Sequence, residues 1–146
     1  MNKIFIKTLI ISFFFISFNA TAEIKHIKEG NIDAKVKLVV FESLTCSHCG
    51  DFHKNIYPKL KTDFIDKNLI LIEYRNFPLD IAAFNAAKIA HCRNDGKSEI
   101  LHHLYNNQSS WVRGSTIEDL NKNLKRVVQE SGFKLDFDNC IADSKI

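Results

Sequence analysis

Leu38-Val39-Val40-Phe41-Glu42-Ser43-Leu44-Thr45-Cys46-Ser47-His48-Cys49 decides the architecture of this chain. The apolar run from Leu38 to Phe41 reads as a strand, and the C-x-x-C that follows opens a helical pattern. A C-x-x-C at a strand-to-helix junction is placed for thiol chemistry. The first turn of a helix carries unpaired backbone N–H groups and a partial positive charge. Both favour thiolate over thiol, and the thiolate is the nucleophile. Zinc sites share the spacing. A second C-x-x-C to complete a zinc quartet is absent from the sequence, which favours the redox reading.

Within the motif, Cys46 precedes the helix and is the candidate nucleophile. Cys49 lies one turn in and is the candidate resolving thiol. His48 stands between them and would favour the thiolate by charge or hydrogen bonding. A structural disulfide, half a zinc site and a solvated, inert His48 are the plainer alternatives. His53, one turn beyond, reads as a surface residue. His102 and His103 read as solvated, and Trp111 as packing.

Outward from the motif, Lys35 to Phe41 is the first strand, continuous enough in apolar residues to be buried. Cys46 to about Asp66 is a helix, with Phe52, Ile56, Leu60 and Phe64 on one face. Pro58 interrupts it. Leu69 to Tyr74 is a second strand, so the three elements form a βαβ unit with parallel pairing. A short strand near Ile24-Ile27 precedes it. The remainder is helical: Ile81 to Arg93, then Ser98 to Asn107. A third helix opens on a capping box at Ser115 and Glu118 and stops at Gly132. A fourth is capped by Asp138.

Residues 1–22 read as a secretory signal. Lys3 and Lys7 precede an apolar stretch from Leu9 to Phe18, and Ala20-Thr21-Ala22 fits a cleavage site before Glu23. That stretch is far shorter than the roughly 20 residues a bilayer span needs. Removing the two lysines lowers the formal charge from +3 to about +1, which leaves no electrostatic footprint for nucleic acid. All four cysteines lie beyond the signal, in a chain that would meet oxidising conditions. Four cysteines allow three connectivities. With Cys46 and Cys49 as the close redox pair, Cys92 is left with Cys140.

These motifs resemble the thioredoxin-fold thiol oxidants of the DsbA type. The resemblance rests on Ser43 to Cys49, on Phe52-His53 with Pro58, and on Arg75-Asn76-Phe77-Pro78-Leu79-Asp80. It extends through Ala86-Ala87 to Cys92 and Asn139-Cys140-Ile141-Ala142-Asp143, which match the branch with a second disulfide in its helical insertion. The resemblance implies an α/β thioredoxin-like fold, with residues 23–80 as a βαβ half and residues 81–146 as an inserted helical domain. It implies a redox disulfide Cys46–Cys49, a structural disulfide Cys92–Cys140, and neither cofactor nor metal. It implies location in the periplasm, unfolded exported proteins with free thiols as substrates, and a membrane protein as reoxidant. A disulfide reductase or isomerase, and a metal-thiol binding or inactive thioredoxin-like module, are the rival functions.

Two features of the resembled family have no counterpart here. A cis-proline loop within a closing β-β-α unit is missing, since Pro58 and Pro78 fit neither position. The chain is therefore expected to be truncated before that loop, marginally stable alone and a slow oxidase. Relatives also place a buried acid six residues before the first cysteine. That position is Val40, and Glu42 is expected at a different phase of the strand.

Overall fold

The computed structural model describes residues 23–144. The signal expected at residues 1–22 lies outside the described residues. Three strands form one sheet in the order β1-β3-β2. β1 (Ile27–Gly30) runs antiparallel to the central β3 (Ile70–Asn76), and β2 (Val36–Glu42) runs parallel to it. The right side chains meet because the register places Val40 and Ile27 on either side of Tyr74. Gly30 ends β1 at φ 94°, where a Cβ would stand 2.2 Å from the Ile70 carbonyl oxygen. Only glycine allows both that backbone and that approach.

The helix after β2 is not one regular cylinder. α1 (Ser47–Asp51) passes into a π-helical turn (Phe52–Ile56), α2 (Tyr57–Leu60) and a second π-helical turn (Lys61–Ile65). Pro58 removes one backbone donor, and the wider turns on both sides absorb the disruption without ending the helix. The wider turns also rotate the buried face. Ile56 and Phe64 are exposed, while Gly50, His53 and Ile65 are buried, so the expected four-residue apolar face is corrected.

The expected burial of the first strand is also corrected. β3 carries the buried run, Ile70, Leu71 and Ile72, because it is central. In β2 only Glu42 is fully buried, and Val36, Leu38, Val39 and Phe41 are exposed. The face of β2 that carries Val40 and Glu42 is the more buried one, and among the described residues its outer edge carries no partner strand.

α3 (Ile81–His91), α4 (Glu99–Asn106), α5 (Gln108–Trp111), α6 (Ile117–Glu130) and α7 (Phe137–Ala142) complete the chain. Asp80 caps α3 by accepting from the Ala83 N–H at 2.7 Å. The capping box of α6 is one residue later than expected. Thr116 accepts from the Asp119 N–H, and the Asp119 carboxylate accepts from the Ser115 N–H. Asp136, not Asp138, caps α7, while Asp138 pairs with Lys125. One apolar core joins sheet and helices through Ile27, Ile72, Ile89, Leu101, Leu104 and Trp111, each under 2% exposed. Trp111 satisfies its indole N–H on the Leu104 carbonyl at 3.0 Å. Cys92 and Cys140 are bonded, with Cα atoms 5.4 Å apart, tying the end of α3 to α7. Beside them the Lys88 ammonium donates to the Ile141 carbonyl at 2.8 Å.

Candidate redox site

β2 ends at Glu42, and Ser43 to Cys46 turn the chain into α1. The Cys46 N–H donates to the Ser43 carbonyl at 3.0 Å. The Thr45 hydroxyl donates to the Asp80 carboxylate at 2.7 Å, and the Leu79 N–H donates to the Ser43 hydroxyl at 3.3 Å. The loop before the dithiol is thereby fastened to the cap of α3. Across from it, the Gln108 amide donates to the carbonyls of Leu44 and Cys46 at 2.9 and 2.8 Å. Gly50 makes room for this clamp, because a Cβ there would lie 2.4 Å from Gln108 Oε1.

Cys46 occupies the N-cap of α1, and Cys46 and Cys49 are both free thiols. The backbone N–H of Cys49, the Cys49 thiol and the backbone N–H of His48 donate toward the Cys46 sulfur and hold its pKa below the ordinary thiol value. The helix N-terminus thus does what its free donors allow. Cys49 is pushed the other way. Burial raises its pKa, the neighbouring Cys46 and the Glu42 charge add to that, and the Ser43 backbone opposes it. The two sulfurs are thus biased in opposite directions, Cys46 toward the thiolate and Cys49 toward the thiol. The His48 ring is exposed and makes no side-chain hydrogen bond among those described, so the part of this residue that reaches Cys46 is its backbone.

Beneath the dithiol lies a polar core that the sequence reading did not anticipate. Glu42 is buried on the same face of β2 as Val40, two residues on. Strand side chains repeat every second residue, which corrects the expected difference in phase. His53, expected at the surface, is buried, and its Nε2 lies 2.7 Å from Glu42 Oε2. His53 Nδ1 meets His102 Nδ1 at 3.0 Å, and His102 Nε2 meets Glu29 Oε1 at 2.5 Å. The Tyr57 hydroxyl donates to the other Glu29 oxygen at 2.7 Å. The rings stack as they connect: His53 on Tyr105 at 3.9 Å, and His102 on Tyr57 at 4.1 Å. Burial alone would raise the Glu29 carboxyl, but hydrogen bonds from His102 and Tyr57 outweigh it and hold the pKa at about 2. Among the described residues, no group of three or more His, Cys, Asp and Glu side chains is arranged to hold a metal ion.

The profile of a protein family described as Thioredoxin matches residues 22–146. A Rickettsia bellii protein provisionally named a protein-disulfide oxidoreductase is 32% identical over 120 residues. That stretch is 80% of this chain and 45% of the relative. The crystal structure of Wolbachia pipientis alpha-DsbA1 superposes with a TM-score of 0.73 at 33% identity, covering 82% of this chain and 61% of that one. Oxidised BdbD from Bacillus subtilis shares the fold at a TM-score of 0.64 and 23% identity, over 80% of this chain and 63% of that one. The chain thus spans less than half the length of the Rickettsia relative and about three fifths of the Wolbachia protein.

Proposed function

This chain belongs to the thioredoxin family and is of the DsbA type, and from that premise we propose that it is an exported thiol:disulfide oxidoreductase that donates a disulfide to folding periplasmic proteins. Cys46 is the nucleophilic sulfur and Cys49 the resolving one. A substrate thiolate attacks Cys46 of the oxidised pair. The Cys46–Cys49 bond breaks, a mixed disulfide forms, and Cys49 departs and takes up a proton. A second substrate thiolate attacks the substrate's sulfur, and Cys46 departs as the thiolate. The product leaves with a disulfide and the pair keeps the two electrons, which a membrane protein collects. Residues 1–22 direct export and are removed before Glu23. Cys92–Cys140 braces the helices that flank the site.

The observation that carries this reading is the division of labour in the pair: Cys46 is held below, and Cys49 above, the ordinary thiol value. A stabilised thiolate stabilises the reduced form, which makes the disulfide a better oxidant. The test is trapping. Cys49→Ala, with Cys46 pre-activated as a mixed disulfide with a small aromatic thiol, should hold a reduced, unfolded exported protein on Cys46, and Cys46→Ala should hold none. Trapping on Cys92 or Cys140 would refute the assignment. In this proposal the His48 ring adds to its backbone N–H by favouring the Cys46 thiolate through charge or hydrogen bonding. His48→Leu should then make the disulfide harder to reduce, and an unchanged equilibrium with glutathione would remove the ring from the mechanism.

A further inference from the structure

One side chain holds the backbone on both sides of Cys46. The carbonyls of Leu44 and Cys46 accept from the amide nitrogen of Gln108, 64 and 62 positions along the chain, at 2.9 and 2.8 Å. Two acceptors call for the two protons of an amide nitrogen, which fixes how the Gln108 side chain is turned. Leu44 is buried, so its carbonyl lies where water cannot replace a lost donor. The Cys46 carbonyl also accepts from the Gly50 N–H at 3.1 Å, the first bond of the helix. Its direction is therefore set by the helix on one side and by Gln108 on the other.

Gln108 is itself fixed. It opens α5, whose Trp111 is buried and bonded through its indole N–H to the Leu104 carbonyl. The Val112 N–H closes the turn on the Gln108 carbonyl at 2.8 Å. The helical insertion thus presents Gln108 as a post against the dithiol loop. The other fastenings of that loop, Thr45 to Asp80 and Leu79 to Ser43, act before the nucleophile. Among the described residues, Gln108 is the side chain that reaches the peptide unit after it. That unit matters because Cys46 is an extended residue, φ −74° and ψ 120°, in front of a helix. Its ψ turns the Cys46–Ser47 peptide, and with it the first turn of α1, relative to the Cys46 side chain. The backbone N–H groups of His48 and Cys49 that reach the Cys46 sulfur ride on that turn. Peptide units are planar, so a pinned carbonyl on each side of Cys46 leaves ψ little freedom.

We propose that Gln108 is a positioning residue of the redox reaction: from the helical insertion it pins the carbonyls on either side of Cys46 and so keeps the first turn of α1 aimed at the Cys46 sulfur. This role rests on the redox reading of Cys46 and Cys49. The described hydrogen bonds of the Gln108 amide go to backbone carbonyls and none to a sulfur, so the residue acts through backbone aim. Through it the insertion takes part in setting how readily the pair gives up its disulfide. Without the bracket α1 persists, since its own bonds are intact, but the donors lose their aim. The Cys46 thiolate, and with it the reduced form, is then less favoured. Gly50 is the second half of the device. A Cβ there would stand 2.4 Å from Gln108 Oε1, so a larger residue pushes the amide off both carbonyls.

The experiment uses the full chain and two readings: the pH dependence of alkylation at Cys46 in the reduced pair, and the equilibrium of the pair with glutathione. Gln108→Met keeps the length of the side chain and removes its donors. It should raise the midpoint of Cys46 alkylation by about one pH unit, a roughly tenfold weaker acid, the size of one aimed hydrogen bond to the sulfur. The glutathione equilibrium should move about tenfold toward the disulfide. Gly50→Ala should give the same two shifts, and the double variant no more than either alone, because both act by removing one bracket. Asn85→Ala, which removes a hydrogen bond between α3 and α6, should lower stability and move neither reading. Unchanged readings in Gln108→Met and Gly50→Ala would overturn the role, even where both lower stability. Equal shifts in Asn85→Ala, or shifts that add in the double variant, would overturn it too. If Gln108→Met does not fold, Gly50→Ala decides alone by the same two readings. Wild-type Cys46 that labels no more readily than Cys49 would overturn the redox reading itself, and the role of Gln108 with it.

Discussion

Replacing Gly50 by alanine should reverse its effect according to the residue at position 108. Gly50 is in the first turns of the helix after Cys46, where alanine is favoured over glycine by about 1 kcal/mol. In the native chain that gain cannot be realised, because the new Cβ would stand 2.4 Å from Gln108 Oε1 and 3.0 Å from its Cδ. Gln108 must swing away and give up two hydrogen bonds, to the Leu44 and Cys46 carbonyls, at about 0.5–1.5 kcal/mol each. Gly50→Ala alone should therefore cost up to about 2 kcal/mol, the lost bonds less the propensity gain. Gln108→Ala should cost about 1–3 kcal/mol for the same two bonds. In that background the three nearest atoms to the Cβ are gone, and Gly50→Ala should stabilise by about 1 kcal/mol. Urea unfolding of the four proteins completes the cycle. A coupling of about 1–3 kcal/mol is expected. Additivity within about 0.5 kcal/mol would show that Gln108 does not clamp the dithiol loop against Gly50.

Three further outcomes are expected. Glu29 has its folded pKa depressed to about 2, so its stabilising contribution is present above about pH 4.5 and fades as pH falls toward 2. Glu29→Gln should thus destabilise at pH 7 and by much less at pH 3, and an equal penalty at both, read by thermal melts, would contradict the ionised role. Replacing Cys92 and Cys140 together by alanine opens a link of sequence separation 48 and should cost about 4 kcal/mol by chain entropy, while peptide mapping of the native chain should find neither sulfur bonded to Cys46 or Cys49. Val39→Lys with Phe41→Lys should reduce self-association in sedimentation with under about 0.5 kcal/mol change in stability, since both side chains are exposed on a strand whose outer edge has no partner among the described residues; a large loss of stability would show that they pack in the folded chain.

The dithiol, the βαβ unit and the Cys92–Cys140 pairing were legible because each rests on local spacing or on counting cysteines. The polar core was not. His53 meets His102 across 49 positions and Glu29 meets His102 across 73, and no periodicity reports contacts of that range. Histidine also carries no strong preference for inside or outside, so His53 on a helix gave no sign of burial. Pro58 announced a disturbance but not its form, and the π-helical turns on either side moved the buried face off the expected residues. The run from Lys35 to Phe41 looked like a buried strand, whereas burial follows from what packs on a strand as well as from its own residues. Gln108 had no signal beyond a small residue at Gly50, and a glycine near a C-x-x-C has many explanations.

In the proposed function the Cys46–Cys49 pair is an oxidant because its reduced form is stabilised. Equilibration of the purified chain with mixtures of reduced and oxidised glutathione, followed by quantification of the Cys46–Cys49 disulfide, measures this most directly. The pair should show a reduction potential well above the value of about −270 mV that makes thioredoxin a reductant, with Cys92 and Cys140 remaining bonded throughout. A potential at or below about −270 mV would contradict it, since the pair would then hold its disulfide too tightly to donate it.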